Sequence, residues 1–163
     1  MPGFIFFAFC PILFLVFNFN PSHTRFKNLY LFGLLLSTFF CLNFALTYWV
    51  IYAHWLGGIF ASVFNAFLMT AVFLVVHKIK AKLGKKQALI SFPILWLAFE
   101  YLHLNWEMSW PWMSLGHVFS EYPNWIQWYE YTGVLGGSAW VLGINTIAYT
   151  VSYTHLTLPT IYS

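Results

Sequence analysis

Leu29–Val76 reads LYLFGLLLSTFFCLNFALTYWVIYAHWLGGIFASVFNAFLMTAVFLVV and holds no Lys, Arg, Asp or Glu. One membrane crossing needs roughly 20 apolar residues. The run is therefore too long for one crossing and suits two, joined by a tight turn. All seven basic residues lie just outside it, Arg25 and Lys27 before, and Lys78, Lys80, Lys82, Lys85 and Lys86 after. Two crossings return the chain to the side it left, so both basic clusters face one compartment. By the positive-inside rule that compartment is the cytoplasm.

The rest of the composition agrees. Apolar residues make up 61% of the 163 residues and charged residues 7%, against about 25% charged in a soluble domain. The apolar stretches are continuous, not alternating, which argues for helices and against a transmembrane β-barrel. The net charge of +3 is the topology signal and forms no basic face for nucleic acid. The expected fold is all-α: a polytopic transmembrane helix bundle of about five spans. These run over about Gly3–Phe19, Leu29–Tyr52, Ile59–Val76, Ala88–Trp106 and Gly133–Thr150. Gly57 and Gly58 are expected to make the turn between the second and third, and His77–Gln87 a short basic loop. Glu107–Thr132, rich in Trp and interrupted by Pro111 and Pro123, reads as an irregular region on the far side, with an aromatic belt. Met1–Phe19 lacks the basic start and cleavage site of a signal peptide.

The fourth span carries one polar stripe, Trp96, Glu100, His103 and Glu107, at spacings that share a helix face. Glu100 is about 20 Å from Lys86 along the axis, inside the hydrocarbon. A carboxylate there must face protein or water. Two readings stand: a protonated or hydrogen-bonded Glu that ties helices together, or a group with a chemical role. Asn43, Thr47 and His54 form a matching stripe on the second span, and Asn65 lies at similar depth on the third. A polar cluster of Glu100, His103, Asn43 and Asn65 is the economical expectation. His54 with His103 could ligate a haem or metal on facing helices, but nothing else supports it, and no cofactor or metal is expected. Cys10 and Cys41 read as buried membrane cysteines.

Phe92–Gly137 contains the most specific pattern: Trp96 four residues before Glu100, then Leu102, Ser109-Trp110-Pro111-Trp112, Leu115-Gly116, and Gly133 with Gly136. This resembles the membrane domain of the apolipoprotein N-acyltransferase family in its Bacteroidetes-like form. His103 stands where most of that family has Arg. Phe7-Ala8-Phe9-Cys10-Pro11, Tyr48-Trp49-Val50 and Gly57-Gly58 extend the resemblance over nearly all of residues 1–150.

The resemblance implies an inner-membrane enzyme of lipoprotein maturation. It would take a fatty acyl chain from a phospholipid donor and pass it to the N-terminal diacylglyceryl-cysteine of an apolipoprotein. A Glu-Lys-Cys triad in an extracytoplasmic nitrilase-like domain would do the chemistry. No position here matches that triad, so no catalytic residue is carried over, and this chain is expected to be inactive alone. Trp96, Trp110 and Trp112 are candidates for acyl-chain contact. The competing class is a small non-enzymatic membrane protein, such as a transporter subunit or assembly factor. Val151–Thr160, VSYTHLTLPT, resembles a one-frame translation of a transposase adapter used in sequencing libraries, so residues 151–163 are expected to be a non-native tail with few contacts.

Overall fold

A computed structural model describes residues 2–19, 26–107 and 113–157. Arg25, Trp110 and Trp112, singled out above, lie outside them, as does the tail beyond Thr157. Among the described residues the regular structure is entirely helical: α1 (Cys10–Asn18), α2 (Lys27–Thr47), α3 (Val50–Ala53), α4 (Trp55–Leu83), α5 (Lys85–Asn105) and α6 (Tyr129–Thr157). Short 3-10 turns occupy Pro2–Phe7, Leu115–Phe119 and Pro123–Trp125. Asn28–Thr47, Trp55–Leu83, Lys85–Asn105 and Tyr129–Thr154 are long and apolar enough to cross a membrane, and Gly3–Asn18 is a shorter apolar helical stretch. The chain is a multi-pass, all-helical membrane protein.

Two compact units divide the chain, Val16–Ala88, and Met1–Leu15 with Leu89–Ser163. In the first, α2 buries Leu31, Leu35, Phe39, Asn43 and Thr47, every fourth residue, which is one face of a helix. α4 answers with Gly58, Ser62, Asn65, Ala66, Met69, Thr70, Phe73 and Val76. Phe39 packs on Phe73 with ring centroids 5.4 Å apart, Asn43 Nδ2 lies 3.4 Å from Met69 Sδ, and the Thr47 and Ser62 hydroxyls are 3.4 Å apart. Partner numbers fall as α2 rises, so the two helices are antiparallel. Small and polar residues suit this seam, because lipid offers apolar side chains as good a partner as protein does.

The turn between the spans is not at Gly57-Gly58. α2 ends at Thr47 and α4 already begins at Trp55. His54 makes this possible: its extended backbone (φ −158°) stops α3, and its Nδ1 accepts the Gly57 N–H at 2.9 Å as an N-cap. His54 therefore leaves the stripe of Asn43 and Thr47. Nor is His77–Gln87 a loop. α4 runs on to Leu83, since Lys, Ala and Leu are good helix formers, and only Gly84, at φ 94°, interrupts it before α5 starts at Lys85.

The second unit contains the greater departure. The first expected span is split into the 3-10 turn Pro2–Phe7 and α1. Pro11 has no N–H to bond back to the preceding turn. Asn145 of α6, fully buried, inserts its side-chain amide at the break. Its Oδ1 accepts the Phe9 N–H at 2.9 Å, and its Nδ2 donates to Ile5 O at 2.8 Å and to Val141 O at 2.9 Å. The amide thus replaces the helical bond that Phe9 N–H would have made to Ile5 O. α6 breaks at Gly133, whose φ of 64° and ψ of −171° are open essentially to glycine alone. α6 also runs past the expected end at Thr150 to Thr157. Nothing in VSYTHLT breaks a helix, and Pro159 is the first residue that disfavours continuation. That last stretch exposes Val151, Ser152 and Thr154.

Candidate functional site

α5 presents Phe92, Trp96, Glu100 and His103 to the interior of its unit, all of them buried. Glu107, expected on the same stripe, lies beyond the end of α5 and is exposed. The rings form a continuous ladder: Phe92–Trp96 at 6.3 Å, Trp96–Phe99 at 5.5 Å, Phe99–His103 at 4.7 Å and His103–Trp106 at 5.2 Å. Phe9 closes one side, with its ring 4.7 Å from Trp96 and 5.5 Å from Phe92.

Glu100 is 3% exposed. Its Oε1 accepts two hydrogen bonds, from Trp96 Nε1–H at 3.0 Å and from the backbone N–H of Leu115 at 3.1 Å. The first is a contact one helical turn away. The second reaches into the segment that links α5 to α6. Next along that segment, the Gly116 N–H donates to Ser138 Oγ of α6 at 2.9 Å, and Gly116 O accepts from Tyr129 Oη at 3.0 Å. A side chain at Gly116 would run into the carbonyl oxygen of Val134. Leu115-Gly116 is thus clasped between a carboxyl group of α5 and two hydroxyls of α6. Ser138 stands beside the Glu100 carboxyl group, whose Oε2 has no hydrogen-bond partner among the described residues.

The aromatic surroundings continue around this clasp. Phe6, Phe119 and Trp140 meet at centroid distances of 4.9, 5.2 and 5.7 Å, and Trp128 adds to Trp140 at 6.0 Å. Together these place a rigid, mostly apolar wall at the Trp106–Trp128 end of α5 and α6, with one carboxyl group holding its connecting segment.

The expected polar residues fall in two places. Glu100 and His103 belong to this unit. Asn43 and Asn65 belong to the α2–α4 unit, where both are buried and Asn43 Nδ2 donates to Phe39 O at 2.8 Å. Asn145 and Ser138 were not anticipated. The signal was available for Asn145, a lone amide in an apolar span, but its partners, Phe9 and Ile5, lie at the opposite end of the sequence. Ser138 gave no signal, since a Ser after two glycines in a helix is unremarkable by itself. Among the described residues no three His, Cys, Asp or Glu side chains form a metal-binding group.

Comparison with known proteins places the sequence in a family. An apolipoprotein N-acyltransferase of Chlorobaculum tepidum is 32% identical over 101 residues, which cover 61% of this chain and 19% of that protein. No solved structure matches. The model of the apolipoprotein N-acyltransferase N-terminal domain matches residues 1–147, a stretch that includes the Glu100 clasp, the Gly133 break and the Asn145 staple, and the chain belongs to that family.

Proposed function

We propose that this chain is the membrane domain of an enzyme that moves a fatty acyl chain from a phospholipid to the N-terminal diacylglyceryl-cysteine of bacterial lipoproteins. The observation that carries the reading is the Glu100 clasp: a buried carboxyl group that fixes the α5–α6 segment against an aromatic wall, set in a chain of this family. The wall of Phe6, Phe119, Trp128 and Trp140 would line the approach for acyl chains. Glu100 then acts as a positioning residue, secondary to the chemistry. The domain resides in the inner membrane with its Lys- and Arg-bearing segments in the cytoplasm, as the positive-inside rule requires.

The acyl-transfer chemistry itself is assigned to groups other than those of residues 1–163. Cys41 is exposed on α2, and Cys10 sits in the first turn of α1 with its Sγ 3.8 Å from Asn145 O. Among the described residues no hydrogen bond joins either thiol to a Lys or Glu.

A phospholipid carrying a photoactivatable group on its acyl chain tests the reading. Labelling should concentrate on residues 96–140 and fall when Glu100→Leu loosens the segment. Labelling spread evenly over the exposed faces of α2 and α4 would refute an acyl-chain role for the wall. The purified chain, given phospholipid and a diacylglyceryl-cysteine peptide, should transfer no acyl group. A thioester trapped on Cys10 or Cys41 would overturn that assignment.

A further inference from the structure

The basic end of α4 and α5 gathers five lysines, Lys78, Lys80, Lys82, Lys85 and Lys86, within nine residues. His77 Nδ1 lies 3.2 Å from Val16 O, and Lys80 Nζ donates to the same carbonyl at 3.4 Å. Val16 belongs to the last turn of α1, whose carbonyls lack helical partners and carry a fraction of a negative charge. Lys85 Nζ stands 5.9 Å over the ring of Phe17, the residue after Val16. Lys78, Lys82 and Lys86 are exposed. Against these cations, Val16–Ala88 contains no Asp or Glu whatever.

The position of the cluster selects the kind of anion. Trp55 to Val76 of α4 spans about 32 Å at 1.5 Å per residue, which matches a hydrocarbon core of roughly 30 Å. The lysines begin two residues later, at headgroup level, and exposed Val75 and Leu83 flank them with apolar surface. The anion available there is a phosphodiester carried on lipid.

We propose that the α4–α5 corner, with Lys80 and Lys85 converging on the end of α1, is a binding site for the headgroup of an acidic phospholipid. It is independent of the acyl-donor reading above, since it lies at the basic end of the helices and needs no acyl transfer. The bound phosphate would supply both inward lysines with a counter-charge. The outward Lys78, Lys82 and Lys86 would draw such lipids to the corner without specifying the site.

The full chain is reconstituted in phosphatidylcholine nanodiscs with and without phosphatidylglycerol. Retained lipid is read by native mass spectrometry, and the unfolding midpoint is measured in each lipid. Phosphatidylglycerol should be retained in preference and should raise the midpoint. Lys80→Gln with Lys85→Gln should weaken retention about fivefold per lysine, and Lys80→Arg with Lys85→Arg should restore it. Each variant's midpoint in phosphatidylcholine supplies its own baseline, so a general loss of stability is subtracted. If the glutamine pair does not fold, the wild-type preference decides, and equal retention of the two lipids overturns the proposal. Losses as large from neutralising Lys78, Lys82 and Lys86 would reassign the effect to diffuse attraction and overturn it too. Displacement by soluble glycerol phosphate at matched concentration would show that lipid is not what the corner recognises.

Discussion

Replacing Glu100 by Leu removes the acceptor of two buried donors, Trp96 Nε1–H and the Leu115 N–H. A buried donor left unsatisfied costs about 1–3 kcal/mol, while hydrogen bonds within membrane proteins average nearer 0.6 kcal/mol. Losing two bonds at about 1 kcal/mol each gives a local destabilisation of about 2 kcal/mol. The loss should concentrate on Leu115-Gly116, because Trp96 is still held by Phe9 and Phe92. Hydrogen exchange of the segment 113–119 in detergent is the assay. A local opening about 2 kcal/mol easier exchanges about thirtyfold faster. Glu100→Gln keeps an acceptor at Oε1 and adds donors where Oε2 has no partner, beside Ser138, which can accept one. Its exchange should stay within about fivefold of wild type. Equal protection in wild type and Glu100→Leu would refute the clasp. Equal damage from Gln and Leu would show that the charge of Glu100, and not its acceptor geometry, is what the site needs.

Asn145→Leu should lower stability by about 2–4 kcal/mol, because Phe9 N–H and Ile5 O lose their bridge. Thermal unfolding in detergent would measure it, and a variant as stable as wild type would discount the staple. Gly116→Ala should destabilise by about 1–3 kcal/mol, since its new methyl meets the Val134 carbonyl. Gly143→Ala, with nothing within 4 Å, should be neutral or stabilising by up to about 1 kcal/mol, and similar midpoints for the two variants would contradict the close packing. We propose that Val151–Ser163 is a non-native tail, of which α6 takes in the part up to Thr157. Its removal should change the unfolding free energy by no more than about 0.5 kcal/mol, whereas a larger loss would make it an integral part of the unit.

Class and four of the five expected spans were legible along the chain because they follow from a one-dimensional property. Transferring charge into hydrocarbon is so unfavourable that the gaps between charges announce the helices, whatever these pack against. Residue spacing also identified the buried face of α5, where Trp96, Glu100 and His103 all turn inward. Element ends were harder, since they depend on single side chains acting on backbone. His54 moves the turn away from Gly57-Gly58, and Gly84 alone interrupts a basic stretch that is otherwise helical. The bonds that build the site could not be read at all. Glu100 meets Leu115 across the end of a helix, and Asn145 meets Phe9 across 136 residues. Sequence periodicity shows that a polar group must be satisfied. Which donor or acceptor satisfies it depends on which segments tertiary packing brings within 3 Å.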